Sequence, residues 1–213
     1  MTGGSWTHLV ARRAVRPLLG TGVTPNHLTT LRLVTGLVAC VAVALGSRAG
    51  LWWGGALWLT SAFLDRADGE LARIGNMRST GGHRYDYYSD GVVSAVFFVA
   101  IGIGLRHDWL GGWAIVLGVL AGGSLALVNW WSEWLEQLAP PGTRVLCGRW
   151  GFDPDDAFYL LAAFTWLRWL APTLLAAAIV VPPIAAVIGI RLMRLNREVL
   201  RPAGKIQDNG LIS

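Results

Sequence analysis

Charged side chains are scarce in this sequence. They make up only 15% of the 213 residues, whereas hydrophobic residues make up 54% and the mean hydropathy is +0.47. A soluble domain carries about 25% charged residues, so this chain has too few of them to cover its surface in water. The composition therefore predicts an integral membrane protein and excludes an ordinary soluble enzyme.

Cysteine is nearly absent too. Cys40 falls in a predicted span and Cys147 in a predicted loop, and the chain has no other cysteine. This pair offers no metal-binding spacing and does not favour a disulfide. Residues 1–19 are not expected to form a secretory signal, because arginines interrupt their apolar segment. We predict instead that residues 1–24 form an amphipathic segment on the membrane surface.

Apolar stretches of roughly the length needed to cross a bilayer recur six times. They cover residues 28–45, 51–73, 86–105, 110–135, 155–169 and 172–195. The pattern predicts an all-α integral membrane protein, in which residues 25–200 form a domain of six transmembrane helices. Residues 201–213 are expected to form a flexible carboxyl-terminal tail.

Basic residues are distributed unevenly along this layout. Thirteen of them lie before the first span, in every second connection and after the last span, against three in the other connections. By the positive-inside rule, both termini face the cytoplasm, as in a bacterial inner or cell membrane. The rule also explains the net charge of +5 without a nucleic-acid partner. Tryptophans near the span ends fit an interfacial aromatic belt.

Four aspartates lie where two predicted spans meet the cytoplasm. Asp65 and Asp68 are three residues apart, and Asp86 and Asp90 are four apart, so each pair lies on one face of a helix. A short loop joins the two helices, which should pack antiparallel and bring the four carboxylates together.

Converging carboxylates at membrane depth repel one another unless a cation neutralises them. Oxygen ligands suit hard divalent cations, so we predict a site for one or two ions such as Mg²⁺ or Mn²⁺. Carboxylate-held metals commonly serve phosphate chemistry. The small residues Gly69 and Ala72 would let a nucleotide approach the helix, and Arg73 would contact a diphosphate.

Two other interpretations of the acids are open. Asp65 and its neighbours would pair with nearby arginines at the membrane surface, or they would line the pathway of a cation transporter. Four acids at these spacings disfavour simple surface pairing. A cation pathway has no evident use for Arg73 beside its carboxylates, whereas a diphosphate site has one.

The aspartates belong to a longer pattern of fixed positions, which spans 26 residues. It runs Asp65-x-x-Asp68-Gly69-x-x-Ala72-Arg73, eight residues, Gly82-x-x-x-Asp86-x-x-x-Asp90. This pattern resembles the complete motif of the CDP-alcohol phosphotransferases. Upstream, Pro25-Asn26-His27-Leu28-Thr29-Thr30-Leu31-Arg32 resembles the segment that opens the first span in many members.

The resemblance implies a reaction and assigns roles. A phosphatidyl-type group would pass from a CDP-alcohol such as CDP-diacylglycerol to an acceptor hydroxyl, with release of CMP, in phospholipid biosynthesis. Asp65, Asp68 and Asp86 would bind metal, and Asp90 would lie near the second ion and act as general base. The CDP pocket would be formed by Asn26, Thr29, Asp68, Gly69, Ala72, Arg73 and Gly82. Members are typically homodimers. A CDP-choline or CDP-ethanolamine type of donor with a lipid acceptor is the alternative.

Residues around the same predicted cytoplasmic site are expected to select the acceptor. A phosphorylated polyol would be held by Arg191 or Arg194, helped by Arg149. Against this, the chain has no lysine before Lys205, and Glu133 lies where a basic residue would suit.

An amino-alcohol acceptor is the other possibility. It would fit a cation-binding cage of Trp130, Trp131, Trp134 and Glu133. These side chains are equally compatible with an interfacial tryptophan cluster beside a solvated glutamate.

Overall fold

A computed structural model of the protein describes residues 6–138 and 156–200, and within these ranges the chain forms helices and no strands. The helices are α1 (Trp6–Val15), α2 (Pro25–Ala44), α3 (Arg48–Ile74), α4 (Thr80–Gly104), α5 (Trp113–Leu138), α6 (Asp156–Trp166) and α7 (Leu170–Leu200). A single 3₁₀ turn, Arg16–Leu18, follows α1. The predicted all-helical class is confirmed, and the predicted tail 201–213 lies outside the described residues.

Serine side chains cap the two helices that carry the aspartates. Ser47 Oγ accepts a hydrogen bond of 3.0 Å from Gly50 N at the start of α3, and Ser79 Oγ accepts one of 3.0 Å from Gly82 N at the start of α4. Because of the second cap, α4 begins at Thr80 rather than at Asp86. Gly82 therefore lies in the first turn of α4.

The helices pack around α2, α3 and α4. α2 contacts both α3 and α4, α4 packs on α5, α5 packs on α7, and α3 also contacts α1 and α6. Trp58 of α3 and Phe97 of α4 are buried with ring centroids 3.8 Å apart. This arrangement places the acid-bearing ends of α3 and α4 against the first turns of α2.

Glycines let α4 and α5 approach until their backbones touch. A Cβ atom at Gly102 would lie 2.4 Å from the carbonyl oxygen of Ala114, and one at Gly122 would lie 2.3 Å from that of Ala95. Small residues at helix contacts are typical of membrane proteins, where close backbone approach replaces the hydrophobic driving force.

Four helices in the described part of the chain are long and apolar enough to cross a membrane. They are the stretches Pro25–Ala44, Thr80–Gly104, Trp113–Leu135 and Leu170–Asn196. α3 has 27 residues but carries several charges, and α6 has only 11 residues. α6 ends at Trp166, before Arg168 at φ +57°, and so is shorter than the predicted fifth span. The predicted total of six spans therefore depends on α3 and α6, and that these two helices cross the membrane is a proposal.

The amino-terminal helix packs against the protein. Ala11 and Val15 are buried, and Val15 belongs to a small apolar cluster with Ala67 and Leu71 of α3. The predicted position of this helix on a membrane surface, and the domain limits at residues 24 and 200, stay predictions.

Candidate functional site

Three of the four predicted aspartates meet at one point. Carboxylate oxygens of Asp65 and Asp68 from α3 and of Asp86 from α4 lie within 4.8 Å of one another. The i, i+3 spacing puts Asp65 and Asp68 on one face of α3, as the sequence suggests. The predicted side-by-side packing of α3 against α4 is not observed: both helices pack against α2, which brings their acids together. Such an oxygen-only donor set fits a hard divalent cation, Mg²⁺ or Mn²⁺, better than a soft metal.

A buried arginine lies among these carboxylates. Arg32 of α2 is 2% exposed, and its Nη1 donates hydrogen bonds to Asp65 Oδ1 and, at 2.5 Å, to Asp86 Oδ1. Its Nη2 lies 3.1 Å from Asp90 Oδ1. In the sequence, Arg32 is marked only as the last position of the upstream motif, which does not show this contact. One guanidinium thus joins α2 to both aspartate-bearing helices.

Asp68 has a different environment from its neighbours. It is 3% exposed, and the Thr29 hydroxyl donates a buried hydrogen bond of 2.7 Å to its Oδ2. The threonine Oγ1 also lies 3.2 Å from the Pro25 carbonyl oxygen. α2 therefore contacts the acidic cluster twice, through Thr29 and through Arg32.

Asp90 stands apart from the three converging aspartates. Its side chain is 45% exposed, compared with 31% for Asp65, and the Ser94 hydroxyl lies 3.5 Å from its Oδ1. The carboxylate faces the same cavity as the other aspartates. Among the four acids, it is the one that solvent and small molecules reach most readily.

Two neighbouring cavities share the aspartates. The first, the aspartate cavity, has a volume of about 270 Å³ and includes all four aspartates together with Tyr159 of α6. The second, the Arg73 cavity, has a volume of about 390 Å³. The residues that the resemblance assigned to CDP all line the Arg73 cavity: Asn26, Thr29, Asp68, Gly69, Ala72, Arg73 and Gly82. The two cavities have five lining residues in common: His8, Asp68, Gly69, His83 and Asp86.

Two glycines shape these cavities differently. A Cβ atom at Gly69 would meet no protein atom within 4 Å, so it would project into the open space that both cavities share. A Cβ atom at Gly82 would lie 2.9 Å from Ser79 Oγ and 3.1 Å from Asn26 Oδ1. Gly69 thus keeps space free for a ligand, and Gly82 lets the start of α4 approach the start of α2.

A second buried acid holds Arg73. Glu70 is 2% exposed, and its Oε1 accepts a hydrogen bond of 2.9 Å from Arg73 Nη1. His8 and Arg12 of α1 contact the same carboxylate. Neither Glu70 nor His8 belongs to the fixed positions of the motif, and the 62 residues between them give no sign in the sequence that they meet.

The predicted acceptor residues are dispersed. Arg191 and Arg194 are exposed on α7 and do not line the two cavities, and Arg149 lies outside the described residues. Glu133 lines a side cavity of about 170 Å³ with Trp130 and Trp134.

The proposed tryptophan cage is only partly assembled. Trp131 is not among the residues lining the side cavity, because its ring packs against Gly189 of α7. Tyr87, which lines both the side cavity and the aspartate cavity, links the two spaces.

Comparison with known proteins agrees with the pattern of the site. The family model described as CDP-alcohol phosphatidyltransferase matches residues 22–185, which is more than half of the chain. The matched range contains Asp65, Asp68, Asp86 and Asp90 as well as Arg32, and it begins after α1. Among curated proteins, no match to the chain was found.

Proposed function

Since the chain belongs to the CDP-alcohol phosphatidyltransferase family, we propose that it transfers a phosphatidyl-type group from CDP-diacylglycerol to an acceptor hydroxyl. The observation that carries this proposal is the pair of cavities. Every residue assigned to CDP lines the Arg73 cavity, which opens onto the aspartates at Asp68, Gly69 and Asp86. A donor in the Arg73 cavity would therefore present its diphosphate to the carboxylates.

Asp65, Asp68 and Asp86 would hold the divalent cations, with Asp90 beside the second. Bound there, two Mg²⁺ or Mn²⁺ ions would neutralise phosphate oxygens and stabilise CMP as the leaving group. The oxygen-only donor set supports this assignment.

Asp90 would act as the general base. As the acceptor oxygen forms its bond to the phosphorus distal to cytidine, its proton passes to the Asp90 carboxylate, and the bond from that phosphorus to the CMP oxygen breaks. The exposure of Asp90 to the aspartate cavity supports this role, because the base must reach an incoming hydroxyl. Arg32 would hold the Asp90 carboxylate in position.

The Arg73 cavity would be the pocket that binds the CDP-alcohol donor. The Arg73 guanidinium would bind the diphosphate, for which its forked donors are suited. Gly69, which leaves open space where a Cβ would be, would admit the phosphates close to α3. A CDP-choline or CDP-ethanolamine type of donor with a lipid acceptor remains the alternative with the same chemistry.

The cellular setting is also a proposal. α3 and α6 would complete six spans, with both termini and the two cavities facing the cytoplasm of a bacterial cell, and the protein would be a homodimer in phospholipid biosynthesis. A cation transporter is disfavoured by Arg73, which lines the cavity beside the carboxylates and for which a cation pathway has no evident use.

The acceptor would enter from the side of the aspartate cavity. Arg191, Arg194 and Arg149 are proposed for a phosphorylated polyol. Glu133 with Trp130 and Trp134 is proposed for an amino-alcohol, and the position of Tyr87 between the side cavity and the aspartate cavity supports this second route.

A CMP-release assay tests the proposed function. Purified protein is mixed with CDP-diacylglycerol and a panel of polyol, polyol-phosphate and amino-alcohol acceptors, with Mg²⁺, with Mn²⁺ or with EDTA. We expect CMP release only with metal and with one acceptor class. Metal-independent release, or the absence of any affinity for CDP, would contradict the proposal.

A further inference from the structure

Three basic side chains contact the carboxylate of Glu70, which is almost fully buried. Its Oε1 lies 3.1 Å from His8 Nδ1 and 2.9 Å from Arg73 Nη1, and its Oε2 accepts a hydrogen bond of 3.1 Å from Arg12 Nε. Two of these partners come from α1, and Arg73 comes from α3 itself. A buried carboxylate is costly unless it is paired, and here the pairing requires the amino-terminal helix.

His8 extends this contact to a second arginine. Its Nε2 lies 3.4 Å from Arg66 Nη1, on the side of the ring opposite to Glu70. Arg66 is 8% exposed and lines the aspartate cavity, whereas Arg73 lines the Arg73 cavity. The Glu70–His8 pair therefore contacts one arginine at each cavity.

The position of His8 fits a role at the site. It is one of the few side chains that line both cavities, and it is the one that α1 contributes to them. The apolar contacts of Ala11 and Val15 hold α1 against α3 on the same side. Yet α1 precedes the residues that match the family model, so membership of the family does not account for it.

We propose that α1 forms part of the donor site, with Glu70 and His8 as positioning residues for the two arginines. Glu70 holds Arg73 directly, and it holds Arg66 through His8, so that both guanidinium groups face the diphosphate of a CDP-alcohol. Arg12 completes the pairing of Glu70 and keeps the sum of charges around this carboxylate positive, which favours an anionic ligand. This inference rests on the proposed function, because it assumes that a CDP-alcohol is the ligand.

Neighbouring arginines on α1 provide a matched test. Arg12→Gln and Arg13→Gln each remove one positive charge from the same helix, but Arg12 contacts Glu70 and Arg13 is exposed. CDP affinity of the full-length protein in detergent, with Mn²⁺ present, is measured by titration calorimetry. We expect the CDP Kd to rise about tenfold in Arg12→Gln and in His8→Phe, the usual effect of losing a charge-assisted hydrogen bond, and to stay unchanged in Arg13→Gln.

Steady-state kinetics separate positioning from simple support of the fold. We expect the KM for CDP-diacylglycerol to rise in the Arg12 and His8 variants while the KM for the acceptor stays unchanged. If wild-type protein binds CDP and both variants bind it equally well, the role of α1 is refuted while the proposed function stands. If wild-type protein shows no affinity for CDP, the proposed function itself fails. Should His8→Phe not fold, the two arginine variants decide the question.

Discussion

Arg32 Nη1 lies 2.5 Å from Asp86 Oδ1, and this ion pair joins α2 to α4 beneath the aspartate cavity. The same nitrogen contacts Asp65 of α3, so three helices meet at one guanidinium. The positive charge offsets the mutual repulsion of the carboxylates. Arg32 therefore stabilises an arrangement of acids that would otherwise depend wholly on bound cations.

Removing this guanidinium should make the protein depend on metal for its stability. In Arg32→Gln, a buried ion-paired charge is lost, a change that costs about 3 kcal/mol. We expect a lower Tm in EDTA, and a larger rise in Tm on addition of Mn²⁺ than the wild-type protein shows. Differential scanning fluorimetry in detergent measures both. Arg48→Gln, at an exposed arginine on α3, serves as the control. Equal metal-induced shifts in Arg32→Gln and wild type would contradict this role.

Asp90→Asn should separate chemistry from donor binding. The amide keeps the size of the side chain but cannot accept the proton of the acceptor hydroxyl, so we expect CMP release to fall at least about 100-fold. CDP-alcohol binding, measured by titration calorimetry, should be largely retained. Asp65→Asn provides the comparison, because it removes a proposed metal ligand and should weaken donor binding as well. An equal loss of binding in the two variants would show that Asp90 is not a separate base.

Thr29→Val tests whether the hydrogen bond from the Thr29 hydroxyl helps Asp68 to bind metal. Valine matches the shape of threonine but leaves the buried Asp68 carboxylate without its hydrogen bond of 2.7 Å. We expect the Mn²⁺ concentration for half-maximal activity to rise about tenfold, which corresponds to a charge-assisted hydrogen bond. Thr30→Val is the matched control, since the Thr30 hydroxyl is exposed and bonds to the Asn26 carbonyl. The same metal requirement in both variants would exclude this role for Thr29.

Gly69→Ala should weaken donor binding without harming the fold. The added methyl group meets no protein atom, and alanine favours a helix over glycine by about 1 kcal/mol. We therefore expect an unchanged or slightly higher Tm together with a CDP Kd raised at least about tenfold. Gly123→Ala on α5 is the control, because a Cβ there also meets nothing within 4 Å but lies away from both cavities. Wild-type CDP affinity in Gly69→Ala would place the ligand elsewhere.

The pairing of the aspartates within each helix could be foreseen, because spacings of three and four residues put each pair on one helix face. The meeting of the two pairs depends on α2, which packs against both α3 and α4, and not on the predicted packing of α3 against α4. Membrane character likewise follows from composition. α4 begins six residues before the apolar stretch 86–105, because the Ser79 side chain caps it, and hydropathy does not reveal a cap.

The partners of these acids depend on tertiary packing, which spacing does not reveal. Arg32 is separated from Asp65 by 33 residues and from Asp86 by 54, and His8 is separated from Glu70 by 62. Only the upstream motif that ends at Arg32 offered a signal for the first contact. The contact between His8 and Glu70 had no signal in the sequence, since α1 docks through the apolar contacts of Ala11 and Val15.

The glycine contact between α4 and α5 fixes more than the packing of two helices. Gly102 is 16 residues beyond Asp86 on α4, or about 24 Å along the helix axis. An added methyl group there would overlap the Ala114 backbone, so α4 would have to slide or tilt. Because a helix is rigid along its axis, this movement would also shift the end of α4 that carries the acids. A substitution of Gly102 should therefore impair catalysis by displacing Asp86 and Asp90, although it lies far from both.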